Sequence, residues 1–248
     1  ITVIDENSQV GSNLAALPAF VSRNIKSIET ITTDTEEELA NIYNITLKKN
    51  TKAISVDRNQ KAVICKNLST GKSELLLYDK LILATGSNLT PPKGLTKATN
   101  LFILKNQFDA IKIANYIEKV APKKILIYGF NFYSLLVTHY FIKNGYQVAI
   151  VSEKDELHHF DPELKNLVIE EIKKSQVELY LENSIKKFIF ADKDIDIITK
   201  VKLDNEKTID ANIVIYMSKA VPSIELAKQA GLEIKNGRIV VDKKMKTS

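Results

Sequence analysis

Few side chains here are suited to covalent or metal chemistry. Cys65 is the single cysteine. It shares one face of an alternating run with Val63, which favours a small core thiol over a nucleophile. His158 and His159 are adjacent and cannot face one ligand from a helix or a strand, so no metal site is expected. His139 falls beside Tyr140 on a predicted helix and reads as an ordinary surface or core histidine. No Ser-His-Asp elbow, Walker loop or zinc spacing is present. What remains is chemistry of the backbone and of strand ends. Glycine turns can bring main chain against a phosphate or a flat ring, and a strand-end acid can accept from a ribose.

Four places have that form. Gly129-Phe130-Asn131-Phe132-Tyr133-Ser134 lies where a strand turns into a helix. In a dinucleotide turn the first glycine makes the bend, the second admits the pyrophosphate and the third lets helix and strand pack. Phosphates then sit on the free N–H groups of the helix N-terminus. Here Gly129 supplies the first position. Asn131 puts a side chain at the second, and Ser134 is small enough for the third. The turn reads either as a damaged phosphate cradle or as a strand-helix-strand unit with no nucleotide. The acid that would hold a ribose is displaced: Ser152 stands at the next strand's end and Glu153 follows it. Glu153 is either a substitute or a solvated turn residue, since a one-residue shift changes face. Asp5 ends the first strand and reads as a ribose acceptor or as a cap. Ala84-Thr85-Gly86 reads as a small-residue backbone for close ligand approach or as a simple tight turn.

The elements that would position these residues can be read from the pattern. Ile1 to Asp5 is a strand, with no glycine turn before it. Thr35 with Glu38 is a helix cap. Ala53–Asp57, Ala62–Cys65 and Glu74–Tyr78, parted by good turns, form an antiparallel meander. Lys80 to Ser87 reads as a buried strand stopped by small residues, and 88–94 as a loop. Apolar spacing predicts a helix over 107–120, ended by Pro122. Strand 123–129, helix 132–144 closed by Gly145 and strand 147–152 make a βαβ unit. Asp161-Pro162 opens another helix. Strands follow at 177–181, 185–190, 195–203 and 213–217, then a helix at 223–230 and a strand at 238–241. Strand-ending acids at Asp5 and near Ser152-Glu153 suggest two related nucleotide-type units.

The chain has 248 residues, 44% of them hydrophobic and 26% charged. That allows one large domain or two small ones, and is too apolar for a disordered chain. One cysteine excludes an internal disulfide framework and suits a reducing, cytoplasmic setting. No apolar run approaches the ~18 residues of a membrane span, and no basic-then-apolar leader is visible. The net charge of +5 comes from 35 Lys and Arg against 30 Asp and Glu. The lysines are interspersed with acids and lack interleaved aromatics, which reads as a solvated surface rather than a nucleic-acid footprint.

The string Tyr78-Asp79-Lys80-Leu81-Ile82-Leu83-Ala84-Thr85-Gly86-Ser87 resembles the flavin-dependent pyridine nucleotide–disulfide oxidoreductases, closest to their NADH oxidase and coenzyme A disulfide reductase branch. Further matches follow in order: Ile1–Asp5, Thr35–Leu39, Asn67–Gly71, the βαβ unit from Lys123, Pro222–Ala227, Ala230–Glu233, Asn236–Asp242 and Met245–Ser248. The resemblance implies an α/β fold of two Rossmann-like units. Residues 1–105 would begin an FAD-type domain lacking its first strand, 106–219 would be an inserted NAD(P)-type domain, and 220–248 would return to the first. It also implies that Asp5 faces the adenosine ribose and Ala53 offers backbone to the adenine. Ala84, Thr85 and Gly86 would line the flavin nucleotide, while Gly129, Asn131, Ser134 and Glu153 would face the nicotinamide nucleotide.

The departures from the family pattern matter as much. The redox cysteine falls on Ala15, two of three turn glycines are replaced, a helix glutamate falls on Leu136 and a glycine on Lys219. The family's first glycine loop, a later flavin-binding Gly-Asp and its dimerisation domain find no counterpart, so a trimmed chain is expected. FAD would be held weakly or not at all, and NAD(P)H binding would be impaired. The resemblance leaves two expectations: an oxidoreductase moving electrons to a small-molecule acceptor without the usual cysteine, or a non-catalytic member that keeps the fold as a binding module. Its full-length form would be a homodimer, with no nucleic-acid or membrane partner.

Overall fold

The structure is a computed structural model and describes residues 1–8, 10–11, 13–89, 91, 98–154, 157, 160–192, 195–218 and 220–248. In chain order the elements begin with β1 (Thr2–Ile4), α1 (Leu17–Val21), α2 (Glu36–Asn41), β2 (Thr46–Lys48), β3 (Thr51–Asp57), β4 (Ala62–Asn67), β5 (Ser73–Leu77) and β6 (Ser87–Leu89). They continue with β7 (Leu101–Ile103), α3 (Gln107–Val120), β8 (Lys124–Tyr128), α4 (Phe132–Lys143), β9 (Gln147–Ser152), α5 (Pro162–Lys174) and β10 (Glu178–Leu181). The remainder is β11 (Ile185–Asp192), β12 (Ile195–Leu203), β13 (Thr208–Asp210), β14 (Ile213–Tyr216), β15 (Ala220–Pro222), α6 (Glu225–Gln229), β16 (Ile234–Lys235) and β17 (Arg238–Ile239). The chain divides into two compact units. One holds Ile1–Ser12, Thr32–Asn88 and Val221–Ser248, and the other holds Asn13–Ile31 and Leu89–Ala220.

In the first unit β1 pairs in parallel with β2. β3, β4 and β5 form the expected antiparallel meander. Alternation puts Val56, Val63 and Cys65 on the covered face, against Ile4, Leu76, Tyr78 and, from α6, Leu226. Cys65 is fully buried, and burial pushes its thiol pKa up, as a core residue requires. Thr35 caps α2 through a reciprocal bond with Glu38.

One expected element is absent from this unit. Lys80–Ala84 is not a strand, and Ile82 is 86% exposed. An apolar run becomes a strand only beside a partner that takes its N–H and C=O groups. Among the described residues no strand pairs with 80–84.

The second unit is built on a parallel sheet ordered β10-β9-β8-β14-β7. Its strands read as continuous apolar runs because both faces are covered. Ile125, Ile127, Ile150 and Ile215 point to one face, where they meet Ile113 and Ile117 of α3, Val137 and Phe141 of α4, and Leu17 and Phe20 of α1. Leu126, Tyr128, Val151 and Tyr216 point to the other, against Ile198, Val201 and Leu203 of β12 and Ile209 of β13. The antiparallel layer β11-β12-β13 thus takes the place that helices take in a doubly wound fold. β8-α4-β9-α5-β10 is a right-order βαβαβ run, and the strand order reverses between β8 and β14. A crevice at the carboxyl ends of such a switch point is where ligands bind in this class of sheet.

Residues 13–31 and 89–105, assigned above to the FAD-type part, cluster instead with this unit. Leu17, Val21, Ile31 and Leu104 are buried in its core, and β7 is the edge strand of its sheet. The reading had no strand at 101–103, 46–48 or 208–210, where short edge strands take their shape from neighbours rather than from propensity.

Thr138 of α4 is 3% exposed and its hydroxyl lacks a hydrogen-bond partner among the described residues. A buried unpaired hydroxyl costs about 1–3 kcal/mol. Thr138→Val keeps the shape and removes that cost. It is expected to raise the melting temperature by about 2–4 °C, read by thermal denaturation; a fall would mean the hydroxyl is satisfied in solution.

Candidate functional site

The turn between β8 and α4 is held from three sides. Gly129 has φ +126°, and a Cβ there would lie 2.9 Å from Met217 carbonyl carbon and Ser218 nitrogen. Only glycine fits so close to that backbone. The Gly129 N–H donates to Val151 O at 2.8 Å, and Met217 N–H donates to Tyr128 O at 2.8 Å. The loop after β14 is thereby fixed beside the turn.

Asn131 is the N-cap of α4. Its Oδ1 accepts from the Ser134 N–H at 2.9 Å, and its Nδ2 donates to Met217 O at 2.8 Å. The Asn131 N–H donates to Ser134 Oγ at 2.9 Å, closing a capping box. Ser134 is fully buried, which fits the close helix-strand packing expected of the third position. The first position is therefore a built glycine turn, and the second is filled by an amide that binds both the helix end and the adjoining strand loop.

At the end of β9, Ser152 is buried and donates to Lys154 O at 2.7 Å. Glu153 lies just beyond the strand, where its carboxylate accepts from the Tyr128 hydroxyl at 2.5 Å. Burial, then this bond, raises the tyrosine's pKa well above its ordinary value. Tyr128 also stacks on Tyr216 with ring centroids 5.3 Å apart. Tyr128 escaped the sequence reading, although a tyrosine within a buried run needs a partner for its hydroxyl.

Ala15 is exposed on a short 3-10 turn, its N–H donating to Asn13 Oδ1 at 3.1 Å. The Tyr133 hydroxyl donates to the neighbouring Leu14 O at 2.9 Å, and burial raises its pKa. The first turn of α4 is thus tied to the turn that carries Ala15. Leu136 is a half-buried residue of α4, and His139 is exposed beside Tyr140. Lys219, His158 and His159 lie outside the described residues. Among the described residues no cluster of His, Cys, Asp or Glu could hold a metal ion.

The remaining sites belong to the first unit. Asp5 Oδ1 accepts from both the Asn7 N–H and Asn7 Nδ2 at 2.8 Å, the geometry of a cap. Ala53 stands opposite Cys65 beside an irregularity in the β3-β4 ladder. Ala84, Thr85 and Gly86 are exposed and form no strand. Thr85 Oγ1 donates to Ser223 O at 2.6 Å, and the Ser223 N–H donates to Gly86 O at 2.9 Å. Gly86 has φ +66° with no atom within 4 Å of where a Cβ would stand. Among the described residues this main chain is exposed. At the β8-α4 turn the Asn131 side chain stands at the second position, bonded to Ser134 N–H and Met217 O.

The parallel sheet, its switch point and the glycine turn define a Rossmann-type nucleotide-binding fold. The chain belongs to the pyridine nucleotide-disulphide oxidoreductase family, whose profile matches residues 1–248. It is 28% identical over 251 residues to the NADH oxidase of Methanocaldococcus jannaschii, covering 100% of this chain and 55% of that one. It is also 28% identical over 253 residues to the NADH oxidase of Enterococcus faecalis, with the same shares covered. The crystal structure of reduced CoADR-RHD from Bacillus anthracis superposes with a TM-score of 0.91 at 24% identity, over 100% of this chain and 44% of that one. The chain thus spans about half the length of the curated relatives it matches. Among the described residues no helix is long and apolar enough to cross a membrane.

Proposed function

We propose that this chain is part of a flavin-dependent NAD(P)H oxidoreductase relative that lacks the redox cysteine and binds nicotinamide nucleotide poorly. The observation that carries the reading is the Asn131 side chain, bonded to Ser134 N–H and Met217 O across the turn where a pyrophosphate would pass. Alanine at position 15 has no thiolate, so no cysteine-based disulfide or peroxide cycle runs through it. Electron transfer would then rest on the flavin alone, which supplies hydride and one-electron chemistry when bound. The protein would contribute the open Gly86 main chain toward that group, with Asp5 and Ala53 near the adenosine end. The acceptor would be a small molecule.

The same residues favour a second reading, a member kept for its fold rather than for turnover, since Asp5 Oδ1 already serves Asn7. Reconstitution with FAD separates the two. Bound flavin absorbs near ~450 nm, and NADH added without oxygen bleaches it only if hydride reaches the ring. Slow, incomplete bleaching is the expected outcome. No bleaching at any NADH concentration would select the non-catalytic reading, and full bleaching within seconds would overturn the claim of poor nicotinamide binding.

A further inference from the structure

A dinucleotide makes two kinds of bond in a Rossmann unit. Its phosphate oxygens accept from N–H groups at the helix N-terminus. Its ribose hydroxyls donate to an acid near the end of the next strand. In this chain both kinds of bond are made, by side chains of the same unit. Asn131 Oδ1 accepts from the Ser134 N–H at 2.9 Å, as a phosphate oxygen would. The Tyr128 hydroxyl donates to Glu153 Oε1 at 2.5 Å, as a ribose hydroxyl would. The Asn131 Nδ2 bond to Met217 O at 2.8 Å anchors the first of these to the adjoining strand loop.

We infer that Asn131 and Tyr128 act as built-in substitutes for a bound dinucleotide, making within the chain the bonds that such a ligand would make. This inference rests on the proposed reading of the turn as a former nucleotide site and adds to it the two residues that exclude the ligand. A nucleoside diphosphate must displace Asn131 from two partners and compete with Tyr128 for Glu153. Removing those competitors should therefore create binding, where removing ordinary contacts would only weaken a protein.

Asn131→Gly is tolerated by the fold because glycine is an acceptable N-cap. Asn131→Ser keeps a cap but is too short to span both partners, and Tyr128→Phe keeps the ring and removes the hydroxyl that Glu153 accepts from. Each is titrated with ADP-ribose while backbone amide signals of Phe132, Tyr133 and Ser134 are followed by NMR, with circular dichroism as a check of folding. The wild-type chain is expected to show no saturation up to about 5 mM. Asn131→Gly should bind at least roughly tenfold more tightly than wild type, and Tyr128→Phe should add a further few-fold. If folded variants stay as silent as the wild type, the inference fails while the reading of poor nicotinamide binding stands. If the wild type itself saturates in the micromolar range, both fail. A gain from Asn131→Gly or Asn131→Ser with none from Tyr128→Phe would overturn the ribose half.

Discussion

Gly129→Ala is expected to destabilise the second unit by about 3 kcal/mol or more. Two costs add. The residue sits at φ +126°, a conformation that L side chains rarely adopt and that costs about 1–3 kcal/mol. The new methyl would also stand 2.9 Å from two backbone atoms of Met217 and Ser218, which cannot turn aside as a flexible side chain could. Overpacking of that kind costs a further 1–3 kcal/mol, roughly. The strand loop would have to retreat, taking with it the Met217 carbonyl that accepts from Asn131. Urea denaturation measures the loss. A change below about 1 kcal/mol would mean that the loop is not pressed against the turn.

Asn100→Ala should cost about as much, at a position with no chemistry. Asn100 is fully buried at the start of β7. Its Nδ2 donates to Ile198 O at 2.7 Å and to Asn212 O at 3.0 Å, while its Oδ1 accepts from Ile198 N–H at 2.8 Å. One amide therefore joins the parallel sheet to the antiparallel layer across it. Alanine leaves buried donors and acceptors without these partners, at about 1–3 kcal/mol for each group. We expect roughly 3 kcal/mol in the same denaturation measurement. An effect inside ~0.5 kcal/mol would show that these groups find other partners.

These two residues also mark what the sequence allowed. Gly129 was legible because a glycine between an apolar strand run and a following helix has a known job. The βαβ unit around it was legible for the same reason. Asn100 was not, because its partners Ile198 and Asn212 lie about a hundred positions away and nothing local distinguishes it from a loop asparagine. Lys80–Ala84 failed in the opposite direction. Its composition says strand, but strand formation is a property of pairs, and no described strand pairs with it. At the candidate site the sequence showed that Asn131 was out of place. It did not show that the side chain is bonded on both sides. Tyr128 was hidden inside a run of apolar residues, although its hydroxyl required a partner.

The proposed function requires that the Asn131 side chain keep a dinucleotide out of the turn between β8 and α4. Calorimetric titration of NADH into the unmodified, folded chain tests that most directly. No saturable heat is expected up to about 1 mM nucleotide, which corresponds to less than about 4 kcal/mol of binding. A stoichiometric isotherm with a dissociation constant of tens of micromolar would contradict it, because a dinucleotide would then occupy a turn that Asn131 had left open.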